Sequence, residues 1–198
     1  MLFRSLNDPD PAKREKGVAM LKLAIDAASA IGCGAVLLVP GRLGVGTKFR
    51  IGYQDTWDRV TAELRKVIPH AAERKVMVTP ENVWNKFLVS PLEMKAFVDQ
   101  FASPWLQAHF DCGNCMEFGF PEDWIATLGP RIKRVHLKDY KKREFVDLLE
   151  GDVDWKAVMQ ALTKAGYRGT LSPEYGGGKD PGRLMAISRA LDKILALA

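Results

Sequence analysis

Short apolar runs closed by turn residues alternate with longer stretches of helical apolar spacing, from residue 11 to the end of the chain. Helical spacing covers residues 11–31, 56–72, 91–101, 121–128, 155–165 and 184–198. Asn7-Asp8-Pro9-Asp10 supplies capping and turn residues before the first, and Pro91 stands in the first turn of the third. Between them lie strand-like runs at 35–39, 75–79, 105–110, 132–137 and 169–173, the first closed by Pro40-Gly41, with the stub of a sixth at Leu2-Phe3. Parallel strands need long crossovers, and helices are the usual ones, so strict alternation predicts an α/β fold with a parallel sheet. No linker or low-complexity tract divides residues 1–198, so one domain is expected. Residues 138–153 form the longest stretch without a clear element, a length at which loops are often functional.

Four of these strands end alike. Glu81 follows Val78-Thr79-Pro80, Asp111 follows His109-Phe110, His136 follows Arg134-Val135, and Glu174 follows Ser172-Pro173. Side chains alternate along a strand, so Thr79, His109, Arg134 and Ser172 share the faces of these four end residues, about 7 Å deeper. The intervening positions, Val78 and Pro80, Ala108 and Phe110, Val135 and Leu137, Leu171 and Pro173, are apolar or small. Each strand thus has one face suited to helix packing and one polar face. Barrel enzymes gather catalytic groups at the carboxyl ends of their strands. Two Glu, one Asp and one His form an oxygen-rich set suited to Mn²⁺, Mg²⁺, Co²⁺ or Zn²⁺.

Composition narrows the class. The chain is 47% apolar and 27% charged, ordinary for a globular domain, and no apolar run is long enough to span a membrane. The N-terminus has no signal-peptide pattern, which makes the cytoplasm the default location. A net charge of +5 is modest and scattered, unlike the concentrated stripe of a nucleic-acid protein, so neither nucleic acid nor membrane is an expected partner. Cys112 and Cys115 form a C-x-x-C, but no second pair completes a zinc site, and a reduced structural role is expected. Gly41-Arg42-Leu43-Gly44-Val45-Gly46 lacks dinucleotide-binding spacing. Gly176-Gly177-Gly178 reads as a turn, although barrels bind phosphate at the corresponding place.

Read in order, Glu81-Asn82-Val83-Trp84-Asn85, Asp111-Cys112-Gly113-Asn114, Val135-His136-Leu137-Lys138-Asp139, Glu150-Gly151-Asp152-Val153-Asp154-Trp155, Gly166-Tyr167-Arg168-Gly169 and Glu174 resemble the sugar phosphate isomerase/epimerase family. That family belongs to the xylose-isomerase-like TIM-barrel superfamily, and the resemblance runs through nearly the whole chain. It implies a parallel β/α barrel, incomplete at its N-terminal side, with five to six strands and outer helices. It also implies that Glu81, Asp111, His136 and Glu174 bind one divalent metal and that Glu81 and Glu174 are the acid/base pair. The ketose 3-epimerases among the relatives carry a His where Asn114 stands and a second Glu where Phe87 stands.

The implied activity is isomerisation or epimerisation of a sugar or sugar phosphate through a metal-stabilised enediolate. Strand phase aims Lys138 at the same mouth, where it suits a hydroxyl or phosphate; Trp84 suits a sugar ring, and Asn114 a substrate polar group. The rival readings are an inosose isomerase or dehydratase and a non-catalytic truncated barrel. A DNA-repair enzyme of the endonuclease-IV type would need more than the three histidines present. A missing barrel wall would leave the run 35–39 near a sheet edge, and either self-association there or low stability relative to a full-length relative is expected.

Overall fold

Helix boundaries follow local chemistry. The Asp10 side chain accepts from the Ala12 amide at 2.9 Å and starts α1 (Pro11–Ala30), a cap of about 1 kcal/mol. Val18, Leu21, Ile25 and Ala28 form the buried stripe of α1. Beyond β1 (Ala35–Leu38), α2 (Tyr53–Arg74) buries Val60, Leu64, Val67 and Ala71 and ends at Lys75, which is left-handed at φ 55°. β2 (Met77–Pro80) pairs parallel with β1, Ala35 opposite Met77 and Leu38 opposite Pro80. α3 (Pro91–Asp99) opens with reciprocal bonds: Ser90 Oγ accepts from the Glu93 amide at 3.2 Å, and Glu93 accepts from the Ser90 amide at 3.1 Å.

The structure, a computed structural model, describes residues 5–44, 50–175 and 180–197. The chain divides into two compact units, Met1–Val89 with Ala96–Ala108 and Ser90–Lys95 with His109–Ala198. In the first, α1 packs on α2. Their seam carries Arg14 Nε to Glu63 at 3.1 Å and His70 Nε2 to Asp26 at 2.9 Å, so His70 has a structural partner. Phe87 is fully buried among Tyr53, Trp57 and Phe97, at ring-centre distances of 5.1, 6.2 and 5.8 Å. That burial makes the residue at the second-Glu position of the ketose 3-epimerases a packing residue here.

The second unit is built on a three-stranded sheet in the order β3 (Ala108–Asp111), β4 (Ile132–Leu137), β7 (Leu171–Pro173). A one-turn helix, α4 (Cys112–Cys115), leaves the end of β3, and α5 (Pro121–Leu128) follows. Trp124 of α5 stacks on Phe110, ring centres 6.0 Å apart. The stretch 138–153, read as elementless, contains a β-hairpin of β5 (Asp139–Lys141) and β6 (Glu144–Val146). Its turn residues, Lys142 and Arg143, have φ of 50° and 68°, a conformation usually announced by Asn-Gly, and no such signal was there to read. α6 (Trp155–Lys164) packs on α5, and α7 (Pro181–Leu195) closes the chain. All five strands expected from the apolar runs are present. Leu2-Phe3, Val45-Gly46 and Gly176-Gly177-Gly178 lie outside the described residues.

Candidate metal centre

Strand register assembles the site within the second unit. β4 and β7 run parallel with His136 opposite Ser172 and Leu137 opposite Pro173, and the Glu174 amide donates to the Leu137 carbonyl at 3.1 Å. Glu174 therefore emerges beside His136 and Lys138. On the other side of β4, Asp111 ends β3 with its side chain fully buried. One carboxylate oxygen of Asp111 accepts from the Asn114 amide at 2.7 Å as the cap of α4, which fixes the direction of the other.

Asp111, His136 and Glu174 each present one ligand atom, all within 4.8 Å of one another. His136 Nδ1 lies 3.4 Å from Glu174 Oε2 and 3.9 Å from Asp111 Oδ2. Lys138 Nζ joins them, 2.6 Å from Glu174 and 3.1 Å from Asp111, while also sitting 4.6 Å over the Phe145 ring of the hairpin. The bond from His136 holds the Glu174 carboxyl well below its usual range; burial opposes this, and Lys138 adds to it. Burial disfavours the Lys138 ammonium, yet Asp111 and Glu174 outweigh it and the net shift is upward. The pair is thus ionised at neutral pH. α4 comes close to the end of β4: a Cβ on Gly113 would lie 2.7 Å from the Lys138 carbonyl oxygen, so glycine is required there.

Two polar groups beside the site have surroundings that the sequence did not disclose. His109 shares the inward face of β3, is only 6% exposed, and lies 4.1 Å from His136 between ring centres. Burial, with the adjacent His136 charge, lowers its pKa to about 3, so the ring is neutral. Asp139, the residue after Lys138, is fully buried and accepts four bonds. One oxygen takes the Tyr140 and Val153 amides (2.9 and 3.3 Å), and the other takes the Leu149 amide and Trp155 Nε1 (2.9 and 3.0 Å). The stretch Glu150-Gly151-Asp152-Val153-Asp154-Trp155 is therefore a structural clasp around Asp139. Gly151 passes so close that any Cβ would collide with the carboxylate. The signal was present as Asp followed by the Gly-Asp-x-Asp-Trp run; its meaning needed the fold.

In the first unit Glu81 stands at the end of β2, 4% exposed, its amide donating to the Leu38 carbonyl at 2.9 Å. In the loop that follows, Asn85 is a staple: its side chain donates to the Gly41 carbonyl at 2.5 Å and accepts from the Phe87 amide at 2.9 Å. Trp84 is 40% exposed. Asn114 is buried in α4. The C-x-x-C forms the one-turn helix α4, but burial first of all, then Asp111 for Cys112 and Cys112 for Cys115, pushes both thiols well above their normal range. Both are free in the structure, in keeping with a reduced structural pair.

The sequence pattern of the xylose isomerase-like TIM barrels matches residues 1–194. The chain belongs to that family. No curated protein sequence matches it. Among solved structures it is similar to D-psicose 3-epimerase from Clostridium cellulolyticum H10, at 18% identity and TM-score 0.84, covering 100% of this chain and 75% of that one. D-allulose 3-epimerase from Methylomonas sp. matches at 22% identity and TM-score 0.82, covering 98% and 74%. The 3-keto-D-glucoside 4-epimerase of E. coli matches at 15% and 0.79, covering 96% and 74%. These likenesses establish the fold, an α/β chain of the TIM-barrel type. Among the described residues no helix is long and apolar enough to cross a membrane.

Proposed function

We propose that the protein is a divalent-metal-dependent isomerase or epimerase of a sugar or sugar phosphate. The observation that carries this reading is the convergence of Asp111, His136 and Glu174 at adjacent strand ends, with Lys138 set against both carboxylates. Two carboxylates and an imidazole in that proximity fit a divalent ion such as Mn²⁺, Mg²⁺, Co²⁺ or Zn²⁺. Glu81 is proposed as the fourth ligand, because it holds the matching position on its own strand. The sugar epimerases among the structural neighbours support the substrate class.

When bound, the ion supplies Lewis acidity at a carbonyl oxygen. The chain's own residues move the proton. Glu174, kept ionised by His136 and Lys138, takes the proton from the carbon beside the carbonyl, and Glu81 is its proposed partner in returning one. Lys138 lies where it can hold a substrate hydroxyl or phosphate oxygen, Trp84 offers a ring face to the apolar side of a sugar, and Asn114 is the proposed polar contact behind Asp111.

The test begins with metal content and calorimetric titration of each ion. The wild type is expected to hold about one ion, and His136→Ala to lose most of the affinity with its fold intact. Unchanged metal content in that variant would sink the site. A screen of ketoses, aldoses and inososes in deuterated water then follows; incorporation of solvent deuterium supports the carboxylate route, and full retention of the substrate hydrogen replaces it with a hydride shift. β1 pairs with β2 alone among the described residues, and we propose it as a self-association edge. Sedimentation at several concentrations tests that, with a concentration-independent monomer as the refuting result.

A further inference from the structure

Gly166-Tyr167-Arg168-Gly169 belongs to neither the metal centre nor the Asp139 clasp. It lies within the second unit, between the end of α6 and the amino end of β7, whereas the metal centre lies at the carboxyl ends of the strands. The end of α6 sets its shape. The Tyr167 amide donates to the Leu162 carbonyl and the Gly166 amide to the Thr163 carbonyl, both at 3.0 Å, with Gly166 left-handed at φ 70°. These are the paired bonds of a Schellman cap. The chain then folds back on the Tyr167 ring. Its hydroxyl donates to the Thr170 carbonyl at 2.7 Å, and a Cβ on Gly169 would collide with the phenol. Burial raises that phenol's pKa to about 12 against the opposing charge of Arg134, so it stays protonated.

This fixed loop walls a cavity of about 300 Å³, bounded on its other side by the start of β4 and by Gly129-Pro130. Lys133, Arg134 and Arg168 line it, and no Asp or Glu does. Among the described residues none of these three cations has an ion-pair partner, and Arg134 donates only to the Lys133 carbonyl, at 2.8 Å. Elsewhere in the unit Lys138 faces Asp111 and Glu174, and Arg183 faces Asp147. Unmatched like charges around one concavity repel each other, and a wall of one sign concentrates counter-ions. We propose that this cavity binds the phosphate group of a small phosphomonoester, a ligand other than the substrate of the metal centre. Two guanidinium forks and an ammonium match the oxygens of a phosphate dianion, which guanidinium groups hold bidentately. The volume is at the small end of ligand pockets and suits a compact metabolite, not a nucleic-acid strand. Arg134 shares the face of His136 on β4, two residues and about 7 Å away. The inference stands whether or not the metal reading does.

The full chain is titrated by calorimetry with inorganic phosphate, glycerol 3-phosphate and citrate, at constant ionic strength. One saturable site with a Kd at or below about 1 mM is expected, with the ester tighter than the free ion and citrate weaker than both. Arg134→Gln and Arg168→Gln should each weaken binding by about tenfold. Lys16→Gln, which removes an exposed charge on α1, and Lys138→Met, at the metal centre, should leave it within about twofold. Arg168 is exposed, so its variant decides the matter even if Arg134→Gln does not fold. No saturation below about 10 mM, or equal losses in Lys16→Gln and Arg168→Gln, overturns the site. Loss in Lys138→Met with Arg168→Gln unaffected moves the phosphate to the metal centre and overturns it too. Citrate bound as tightly as the ester overturns the phosphate assignment, and equal affinity for phosphate and its ester overturns the phosphomonoester.

Discussion

Lys138 and Asp139 are neighbours in the chain, and their surroundings could hardly differ more. Asp139 is sealed from solvent and surrounded by four donors, each an amide or indole N–H fixed by the backbone or by packing. Lys138 meets side chains instead: the carboxylates of Asp111 and Glu174 and the Phe145 ring. A charge satisfied by rigid dipoles has no reason to respond to a ligand, and its work is to hold the loop 147–155 in place. A charge satisfied by other charges can exchange partners when a ligand arrives. The lesson is that charge alone does not identify a working group; the nature of its partners does.

The largest effect that would break this contrast is on turnover. Glu174→Gln is expected to lower the rate by about 10²–10⁴-fold, the usual worth of a positioned acid/base group, with little change in the thermal midpoint. Steady-state kinetics with a melting curve checks both. The same group predicts a pH signature. Its folded pKa is depressed, so its stabilisation is present above the ordinary carboxylate pKa of about 4.3 and is lost as pH falls through the lowered folded value. Glu174 is half exposed, which reduces the size of this effect. Acid unfolding of Glu174→Gln should therefore be modestly flatter below about pH 4.3 than that of the wild type.

Asp139→Asn should show the opposite balance. Every lone pair of Asp139 is used, so an amide places a donor against donors, and a loss of about 3 kcal/mol is expected by denaturant titration. Divalent affinity of the folded fraction should stay near that of the wild type. A variant that melts normally but cannot bind metal would erase the distinction between the two neighbours. Lys138→Met removes a cation that faces the same carboxylates as an incoming ion, and calorimetry should then give metal binding tighter by about tenfold.

The smallest expected effect concerns the hairpin that carries Phe145. Lys142 at φ 50° bears a side chain where glycine is favoured, so Lys142→Gly relieves about 1–2 kcal/mol of left-handed strain against about 0.5–1 kcal/mol of added unfolded-state entropy, and a small net stabilisation is expected in a denaturant titration. A thiol assay at pH 8 adds a check on burial beside the site. Cys33 should react at once, and Cys112 and Cys115 only on unfolding.

The alternation of apolar runs was enough to place all five parallel strands and the helices between them, because burial leaves a periodicity that can be counted. The strand-end positions of Asp111, His136 and Glu174 followed from the same periodicity. What could not be counted stayed hidden. The β5–β6 hairpin turns on Lys142 and Arg143, which adopt a left-handed conformation without the usual turn residues. The role of Asp139 depends on amides from Leu149 and Val153 returning to it, a long-range fact with no periodic trace. His109 was visible as a polar residue on the inward face, but its unsatisfied nitrogens appear only once its neighbours are placed.

The parallel register of β4 and β7 has a consequence for how the chain is inherited and studied. Side chains alternate with a period of two, so a slip of β7 by a single residue would turn Glu174 to the helix side and bring Pro173 or Tyr175 to its place. Asp111, His136 and Glu174 meet only if three separate segments are aligned without error. Their meeting is therefore a reporter of correct alignment, more stringent than circular dichroism or compactness, both of which a slipped strand would satisfy. Insertions along the helices and outer loops leave the report unchanged, whereas a one-residue insertion within β7 silences it. This is a reason to expect tolerance and intolerance to length change to lie a few residues apart.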